Sequence, residues 1–278
     1  GDSSAIAVYF LAKETRKEVT VSLSGDGADE LFAGYNKHKA IHKVINESNS
    51  LLRLAKPFSK LVKPNNSSKL GNVSRKIEKF NELLVQHSDK RYEFLAAFNK
   101  DEVVNSLLNI SDQKAPEFIQ IHGLNDFLIQ DQRFVLPNDM LKKVDLMSMR
   151  HSLEVRTPFL DHEVVNFANS LPVKYKIKDG DQKAVLKEAF RDMLPTHLFG
   201  IPKKGFEVPL TSWLSEVISV KFDSEMFSEN YLRKHGLFNF EFVKLLKTSQ
   251  FIGDSSNASL VWSFLVFQTW YDKYMKHA

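Results

Sequence analysis

The sequence of 278 residues contains no cysteine. This absence excludes disulfides, thiolate metal sites and a cysteine nucleophile within these residues. A chain without cysteine is also typical of the cytoplasm, so we expect a cytoplasmic localisation.

Long apolar runs and an excess of charge of one sign are absent as well. No stretch reaches the roughly 18 uncharged apolar residues of a membrane span, and the first residues do not resemble a signal peptide. The 38 Lys and Arg residues nearly balance the 34 Asp and Glu residues, giving a net charge of +4. We therefore expect a soluble protein that binds neither a membrane nor nucleic acid.

The residues that are present predict a globular and mostly helical protein. Hydrophobic residues make up 43% of the chain, which suffices for a core. A first helix is expected from the polar cap Asp2-Ser3-Ser4 to about Lys17. Apolar residues three or four positions apart predict further helices within 30–45, 51–62, 74–86, 118–130, 139–153, 182–194 and 259–275.

Only one segment is a convincing strand. Residues 19–24, VTVSLS, form a β-branched apolar run that ends at Gly25, which is typical of a buried strand in an α/β sheet. Because one parallel strand cannot satisfy its own backbone, the sheet is expected to be incomplete, with earlier βα units before Gly1. The polar residues 63–74 are expected to form a loop.

The first candidate site directly follows this strand, in the sequence SGDGADELFAGY at residues 24–35. Ligands of open α/β sheets bind beyond the carboxyl ends of strands, and Gly25 and Gly27 allow close approach of the backbone. Asp26 and Asp29 could hold Mg²⁺, or one of them could take a proton. The alternative is a structural turn in which Asp29 and Glu30 stabilise a helix N-terminus.

The second candidate site lies within residues 136–168. We expect a helix that Pro158 ends, followed by a second helix that Asp161 caps. Four apolar residues are expected to face a core: Met140, Leu141, Val144 and Met147. Four charged residues interrupt this apolar run: Lys143, Asp145, Glu154 and Arg156.

Charged residues in such a run need partners, because a buried unpaired charge costs several kcal/mol. These four side chains should therefore pair with each other or face a ligand. For Asp145 and Arg156, a salt-bridge network that fixes helix packing is as reasonable as contact with a ligand.

The third candidate site is the loop GIPKKGFEVPLTSWL at residues 200–214, which displays Lys203 and Lys204 between glycines and prolines. Such a loop can bring a lysine to a phosphate, although lysine pairs in loops are usually solvated.

Two further patterns favour structure over function. His38 and His42 stand four residues apart on a helix but lack a third ligand, so a solvent-facing helix is expected. The aromatic residues of the last helix have helical spacing, which predicts core packing rather than a base-stacking platform.

Together these segments resemble the C-terminal synthetase domain of the glutamine-hydrolysing asparagine synthetases and of the related β-lactam synthetases. The resemblance runs from DSSAI through VTVSLSGDGADELFAGY, LPNDMLKKVDLMSMRHSLEVRTPFLDHE and KKGFEVPLTSWL to VWSFLVFQTWY. From about Lys56 to Asp131 only the helical character agrees. The resemblance implies one synthetase domain over residues 1–278, with a truncated α/β fold of the adenine nucleotide alpha hydrolase type. It is predominantly α-helical here, with a remnant of a parallel sheet.

The family activates a carboxylate with ATP as an acyl-adenylate, and ammonia from glutamine then gives the amide. By resemblance, the cofactors are ATP and Mg²⁺ and the substrates are aspartate and ammonia. Asp29 matches the magnesium pyrophosphate ligand, and Asp26 matches a position near the reacting centre that asparagine synthetases fill with Glu. Lys203 matches the lysine that stabilises phosphate charge, with Lys204 as the fallback.

The remaining matches concern the acceptor side. Lys143, Asp145 and Arg156 match positions around the acceptor, Glu154 is carried over as a catalytic residue, and Gly25 and Gly27 as phosphate-side residues. The oligomeric state stays open, with a homodimer as one option.

The sequence also departs from the family pattern. The glycine-rich pyrophosphate loop, SGGxDS, has no copy here, and Asp2-Ser3-Ser4 lacks its glycines. The glutaminase domain, which supplies ammonia, is also missing. We therefore expect a fragment with little activity alone. Two alternatives remain: a relative that amidates another carboxylate, such as a sugar acid or secondary metabolite, and a non-catalytic scaffold domain.

Overall fold

The computed structural model describes residues 2–46, 79–110, 116–201, 205, 208–214, 225–246, 248 and 257–275. The chain divides into two compact units. The first contains Gly1–Phe10, Ala97–Pro116 and Phe206–Ala278, and the second contains Leu11–Ala96 and Glu117–Gly205. The division falls within the first helix.

The first helix, α1, confirms the sequence prediction closely. It spans Ala5–Glu18. The Asp2 carboxylate accepts a hydrogen bond from the backbone N–H of Ser4 at 3.0 Å, just before the helix begins.

The second unit contains the small parallel sheet and most of the helices that surround it. After α1 its elements are β1 (Val21–Leu23), α2 (Ala28–Phe32), α3 (Asn36–Asn46), α4 (Arg91–Ala96), α6 (Leu124–Arg133), a π-helix (Leu136–Leu141), α7 (Lys142–Met149), β2 (Glu154–Arg156), a 3₁₀ helix (Pro158–Leu160), α8 (His162–Ser170), α9 (Val173–Lys176), β3 (Ile177–Lys178), β4 (Asp181–Gln182), α10 (Ala184–Ala189) and a second 3₁₀ helix (Thr196–Gly200). The chain is thus mostly helical. Helix α5 (Asp101–Leu107) belongs to the first unit.

Strands β1 and β2 pair in parallel, with Val21 opposite Glu154 and Leu23 opposite Arg156. The prediction of a strand within 19–24 is confirmed, but the prediction that it is buried is wrong. Val21 is 37% exposed and Leu23 is 73% exposed. No other strand pairs with these two among the described residues.

Strand β2 lies in a region that the sequence predicted to be helical. The helix ends at Met149 because the chain reverses there: Ser152 has a φ of 57°, and the N–H of Leu153 bonds back to the carbonyl of Ser148 at 3.1 Å. Pro158 therefore does not end the helix, contrary to the prediction. The predicted cap is confirmed, because the Asp161 carboxylate accepts a hydrogen bond from the N–H of Glu163 at 2.9 Å.

Two other predicted helices are shorter than expected. The segment 30–45 is broken at Ala33, whose φ of 60° ends α2 before α3 begins. The segment 118–130 is helical only from Leu124, because the Asp126 carboxylate accepts the N–H groups of His122 and Gly123 and starts the helix there.

The core of the second unit joins α3, α4 and α6. Tyr92 and Phe127 are fully buried, with ring centroids 5.0 Å apart, and Ile41 and Leu128 are equally inaccessible. A smaller cluster packs α2 against α8 through Phe32 and Ala168. This packing holds α2, and the turn that precedes it, against the body of the unit.

The first unit packs around the last helix, α13 (Ala258–Tyr274). Its other elements are α5 (Asp101–Leu107), a 3₁₀ helix (Glu225–Phe227), α11 (Glu229–His235) and α12 (Phe240–Leu246). Val261 and Phe264 are buried against Phe227 and Phe238. Core packing of the last helix is confirmed, although Trp270 stays 47% exposed.

No helix in the described part of the chain is both long and apolar enough to span a membrane. The predicted helix at 51–62 and the predicted loop at 63–74 lie outside the described residues.

Candidate functional site

An acidic turn follows the carboxyl end of β1. The N–H of Ser24 donates to the carbonyl of Arg156 at 2.8 Å, so the pairing with β2 continues to the edge of the turn. Gly27 then adopts a φ of +89°, and a Cβ at this position would lie 2.2 Å from Leu160 Cδ2. Both the backbone conformation and the lack of space therefore require glycine here. Gly25 has open space around it.

Asp26 lies in this turn and is held locally. The Ser24 hydroxyl donates to Asp26 Oδ2 at 2.5 Å, and the N–H of Asp26 contacts the same hydroxyl at 3.3 Å. The side chain is half-buried. The turn thus fixes the first of the two predicted carboxylates at the edge of the sheet.

Asp29 stands in the first turn of α2 and pairs with a lysine from a distant part of the sequence. Lys183 Nζ lies 2.8 Å from Asp29 Oδ1, and the side chains are 30% and 16% exposed respectively. A Cβ on Gly34 would lie 1.7 Å from Asp29 Oδ1. In its present position the pair therefore occupies space that a side chain at residue 34 would fill.

Glu30 faces the interior, whereas its neighbour Asp29 does not. It is 1% exposed, and the Tyr35 hydroxyl donates to Glu30 Oε1 at 2.7 Å. Burial raises the pKa of the Glu30 carboxyl, and the hydrogen bond from Tyr35 opposes this shift only in part. Burial, followed by the charge of Glu30, also raises the pKa of the Tyr35 hydroxyl.

A buried polar cluster joins α3, α4 and α6. Asp131 on α6 is fully buried and is contacted by His38 Nε2, the Tyr92 hydroxyl and Lys37 Nζ, each at 2.8 Å. Burial opposes ionisation of Asp131, but the hydrogen bond from His38 and the charge of Lys37 outweigh it and hold its pKa below the usual range. The prediction of a solvent-facing helix is therefore wrong for His38, which is 0% exposed, while His42 is half-buried.

Glu154 and Arg156 occupy the two ends of β2, on the same face as Val21 and Leu23. Their side chains pair with each other: Arg156 Nε donates to Glu154 Oε1 at 2.7 Å. They are 55% and 65% exposed, so the prediction that they are embedded is wrong. Of the two predicted alternatives, pairing with each other or facing a ligand, the structure shows the pairing.

Lys143 and Asp145 lie on α7, where burial is also lower than predicted. Lys143 is half-buried, with its Nζ 3.5 Å from Met140 Sδ, and Asp145 is exposed. The four apolar residues expected to face a core, Met140, Leu141, Val144 and Met147, are only half-buried. The helix is shorter than predicted and covers less of the core.

The structure thus brings the turn of Asp26 to the same sheet edge as Arg156. Lys203 and Lys204 lie outside the described residues, so the structure gives no position for them. Sequence reasoning missed Lys183 and Asp131. A lysine after the Gly180 turn and an aspartate within a helix carry no local signal, because their partners come from elsewhere in the chain.

Fold and site together define a mostly helical protein in which a short parallel sheet presents an acidic turn at the carboxyl end of a strand. A sequence model of the asparagine synthase family matches residues 1–272. The chain belongs to the asparagine synthase family.

Individual relatives agree with this assignment. The chain is 27% identical over 290 residues to asparagine synthetase [glutamine-hydrolyzing] 1 of Bacillus subtilis (strain 168), covering 97% of this chain and 43% of the relative. It is 30% identical over 295 residues to a putative asparagine synthetase of Mycobacterium tuberculosis (strain ATCC 25618 / H37Rv), covering 100% and 43%. A rat asparagine synthetase matches over 97 residues at 36% identity, covering 31% and 17%. The chain thus spans 43% of the length of the two bacterial relatives.

Proposed function

We propose that this chain is the synthetase part of an ATP-dependent amide ligase that makes asparagine from aspartate. In this reaction ATP activates the aspartate side-chain carboxylate as an acyl-adenylate and releases pyrophosphate. Ammonia derived from glutamine then displaces AMP. The observation that carries the proposal is the acidic turn after β1, in a chain that matches the asparagine synthase family over residues 1–272.

Asp29 is proposed to hold Mg²⁺ together with the phosphates of ATP. The described residues contain no group of three or more acidic or histidine side chains that could hold a metal. Mg²⁺ in phosphoryl-transfer sites is commonly bound by one or two carboxylates, with substrate phosphates and water as the other ligands. Asp29 fits this arrangement, and a metal held there would supply positive charge beside the pyrophosphate that leaves.

Lys203 is proposed to stabilise the charge that develops on the phosphates, with Lys204 as the alternative. A positioned ammonium suits this task because it interacts most strongly where negative charge grows in the transition state. Gly25, which has open space around it, is proposed to let the phosphates approach the turn backbone, whereas Gly27 packs on Leu160 and shapes the turn.

Asp26 is proposed to act near the reacting centre, where its carboxylate can position ammonia or move a proton. Glu154, Arg156, Lys143 and Asp145 are proposed to surround the acceptor, with Glu154 in a catalytic role. The Glu154–Arg156 pair is more than half exposed, which leaves both side chains able to change partners when a ligand binds.

The sheet is proposed to be completed by βα units outside these 278 residues. Strands β1 and β2 pair with no third strand among the described residues, and Leu23 is 73% exposed. An exposed apolar side chain on an edge strand is typical of a face that another element covers. A pyrophosphate loop of the SGGxDS form on those units would complete the ATP site, so we expect the chain alone to bind ATP and Mg²⁺ weakly in calorimetry. Micromolar affinity would show that the loop is dispensable.

A second candidate function is amidation of another carboxylate, such as a sugar acid. The exposed Arg156 guanidinium supports this candidate, because a guanidinium can pair with the carboxylate of any acid. Fold and reaction class do not fix a substrate.

The test uses an enzyme in which this chain is joined to its glutaminase domain and its remaining βα units. We expect pyrophosphate release with ATP and glutamine that depends on aspartate. Lys203→Ala should lower this release by about 100-fold or more, whereas the matched control Lys178→Ala, at an exposed position, should leave it unchanged. Release with a different acid but not with aspartate would establish the second candidate. Release with no acid would reject both.

A further inference from the structure

Lys183 is held against the acidic turn by its backbone as well as by its side chain. It lies between β4 and α10 with a φ of 56° and a ψ of 35°, in the left-handed region that lysine rarely adopts. Its N–H donates to the carbonyl of Phe32 at 3.2 Å. A strained residue persists only where the surrounding structure fixes it.

The preceding residue provides this fixation. The Gln182 side-chain amide donates to the carbonyls of Ala33 at 2.9 Å and Tyr35 at 2.7 Å. Together with the Phe32 contact, these bonds fasten the end of the β3–β4 hairpin to the turn between α2 and α3. The Lys183 side chain therefore starts from a fixed point beside Asp29.

Gly34 provides the space for the ion pair. A Cβ at this position would lie 1.7 Å from Asp29 Oδ1 and 2.3 Å from Lys183 Cε. The hairpin thus fixes the backbone of Lys183, and the space beside Gly34 lets the Lys183 ammonium reach 2.8 Å from Asp29 Oδ1.

We infer that Lys183 is a positioning residue that acts as the built-in counter-cation of Asp29, and that a divalent cation must displace its ammonium to reach that carboxylate. The two cations would share Asp29 Oδ1, and like charges at one oxygen repel strongly in a partly buried site. Free Mg²⁺ should therefore bind weakly. A metal that arrives with a polyphosphate brings oxygens that accept the displaced ammonium, which favours the complex over the free ion.

This inference rests on the proposed role of Asp29 as a metal ligand, but its test needs neither nucleotide nor activity. Mn²⁺ binding to the purified 278-residue chain is measured by the loss of the free-ion signal in electron paramagnetic resonance. Lys183→Met removes the charge and keeps a side chain of similar length. Lys183→Arg keeps the charge. Lys187→Met is the matched control. Lys187 lies on α10, one turn after Lys183, and its Nζ pairs with the exposed carboxylate of Asp181 in β4 at 3.4 Å.

We expect Lys183→Met to bind Mn²⁺ about tenfold more tightly than wild type at low salt, with a smaller gain at high salt. Lys183→Arg and Lys187→Met should match wild type. Adding Asp29→Asn to Lys183→Met should abolish the gain, since the site would lose its carboxylate.

Equal affinities for Lys183→Met and Lys187→Met would overturn the inference, and so would a gain that persists without the Asp29 carboxylate. Circular dichroism and thermal melts identify any variant that does not fold. In that event Lys183→Gln, which can still hydrogen-bond to Asp29, replaces Lys183→Met with the same expected gain. A gain in Mn²⁺ affinity combined with no pyrophosphate release in the joined enzyme would reject the proposed function and leave the counter-cation role intact.

Discussion

His38 Nε2 lies 2.8 Å from Asp131 Oδ2, and both side chains are completely buried. The N–H of Tyr35 donates to His38 Nδ1 at 3.3 Å, so the ring proton belongs on Nε2, where it is donated to the carboxylate. This bond joins α3 to α6. The interior of the second unit is therefore polar where these two helices meet.

The first prediction concerns pH and His38. Burial lowers the pKa of the His38 imidazole below its usual value of 6.5, although the hydrogen bond to Asp131 opposes the shift. The unfolded chain then binds more protons than the folded chain between the folded pKa and about 6.5. Stability should fall as the pH drops through this window, by at most about 1.4 kcal/mol per pH unit for one group.

Urea unfolding from pH 8 to pH 5 checks this expectation in three proteins. The pH dependence in wild type should be steeper than in His38→Gln. His42→Gln should follow wild type, because His42 is only partly buried and bonds to the neighbouring Asn46. If the stability of wild type and of His38→Gln fell equally with decreasing pH, the lowered pKa of His38 would be contradicted.

The second prediction concerns the carboxylate that three donors share. Asp131→Asn should destabilise the protein by about 2–4 kcal/mol, because an amide cannot accept from His38, Tyr92 and Lys37 without placing its own N–H₂ against a donor. The matched control is Asp181→Asn, which removes a carboxylate that is 76% exposed and should cost less than about 1 kcal/mol. Chemical denaturation at pH 7 measures both, and similar losses would contradict a special role for Asp131.

The third prediction concerns Gly34. In Gly34→Ala, the added methyl group would overlap Asp29 Oδ1 and Lys183 Cε, so the ion pair must separate. We expect a loss of about 1–3 kcal/mol in stability from this overlap. Gly200→Ala is the control, because nothing lies within 4 Å of its added Cβ.

Thermal melts compare the two glycine variants, and Lys183→Met in the Gly34→Ala background supplies a second measurement. Methionine has no ammonium to pair with Asp29, so its side chain can move away from the added methyl group. Lys183→Met should therefore recover part of the stability that Gly34→Ala loses. Equal melting temperatures for Gly34→Ala and Gly200→Ala would show that the space around the ion pair is not closely constrained.

The fourth prediction concerns Lys176, which is 1% exposed. Burial lowers the pKa of its ammonium to about 8, from a usual value of 10.5. Because the folded chain releases this proton more easily, burying the charge costs stability at pH 7, and stability should rise with pH between about 8 and 10.5. Lys176→Met should therefore be more stable than wild type at pH 7, by about 1–3 kcal/mol.

Denaturation at pH 7 and pH 10 measures both the sign and the size of the stability difference between Lys176→Met and wild type. The advantage of Lys176→Met should shrink at pH 10, and the exposed control Lys178→Met should show no comparable change. A destabilised Lys176→Met at pH 7 would mean that the ammonium has a favourable partner in the folded protein.

Local features of the chain were predictable from the sequence. The first and last helices, the Asp161 cap and the placement of Asp29 and Glu30 in the first turn of a helix all follow from neighbouring residues. Their signals are short-range, because caps and helical periodicity act within a few residues.

Strand β2 was not predictable in the same way. Glu154, Val155 and Arg156 offer one apolar residue between two charges, which is too little for a strand signal. The strand exists because its backbone pairs with β1, far earlier in the chain. The helix predicted over the same region ends early for the same reason, since the chain must turn to reach that pairing.

The sequence by itself determined the helical character, the acidic turn after a strand and the resemblance to the asparagine synthase family, because each depends on residue types in a local order. The tertiary structure decided that His38 is buried on Asp131, that Val21 and Leu23 are exposed, and that Lys183 neutralises Asp29. These outcomes depend on contacts between residues far apart in the chain, and local patterns do not specify which distant charge or surface will meet them.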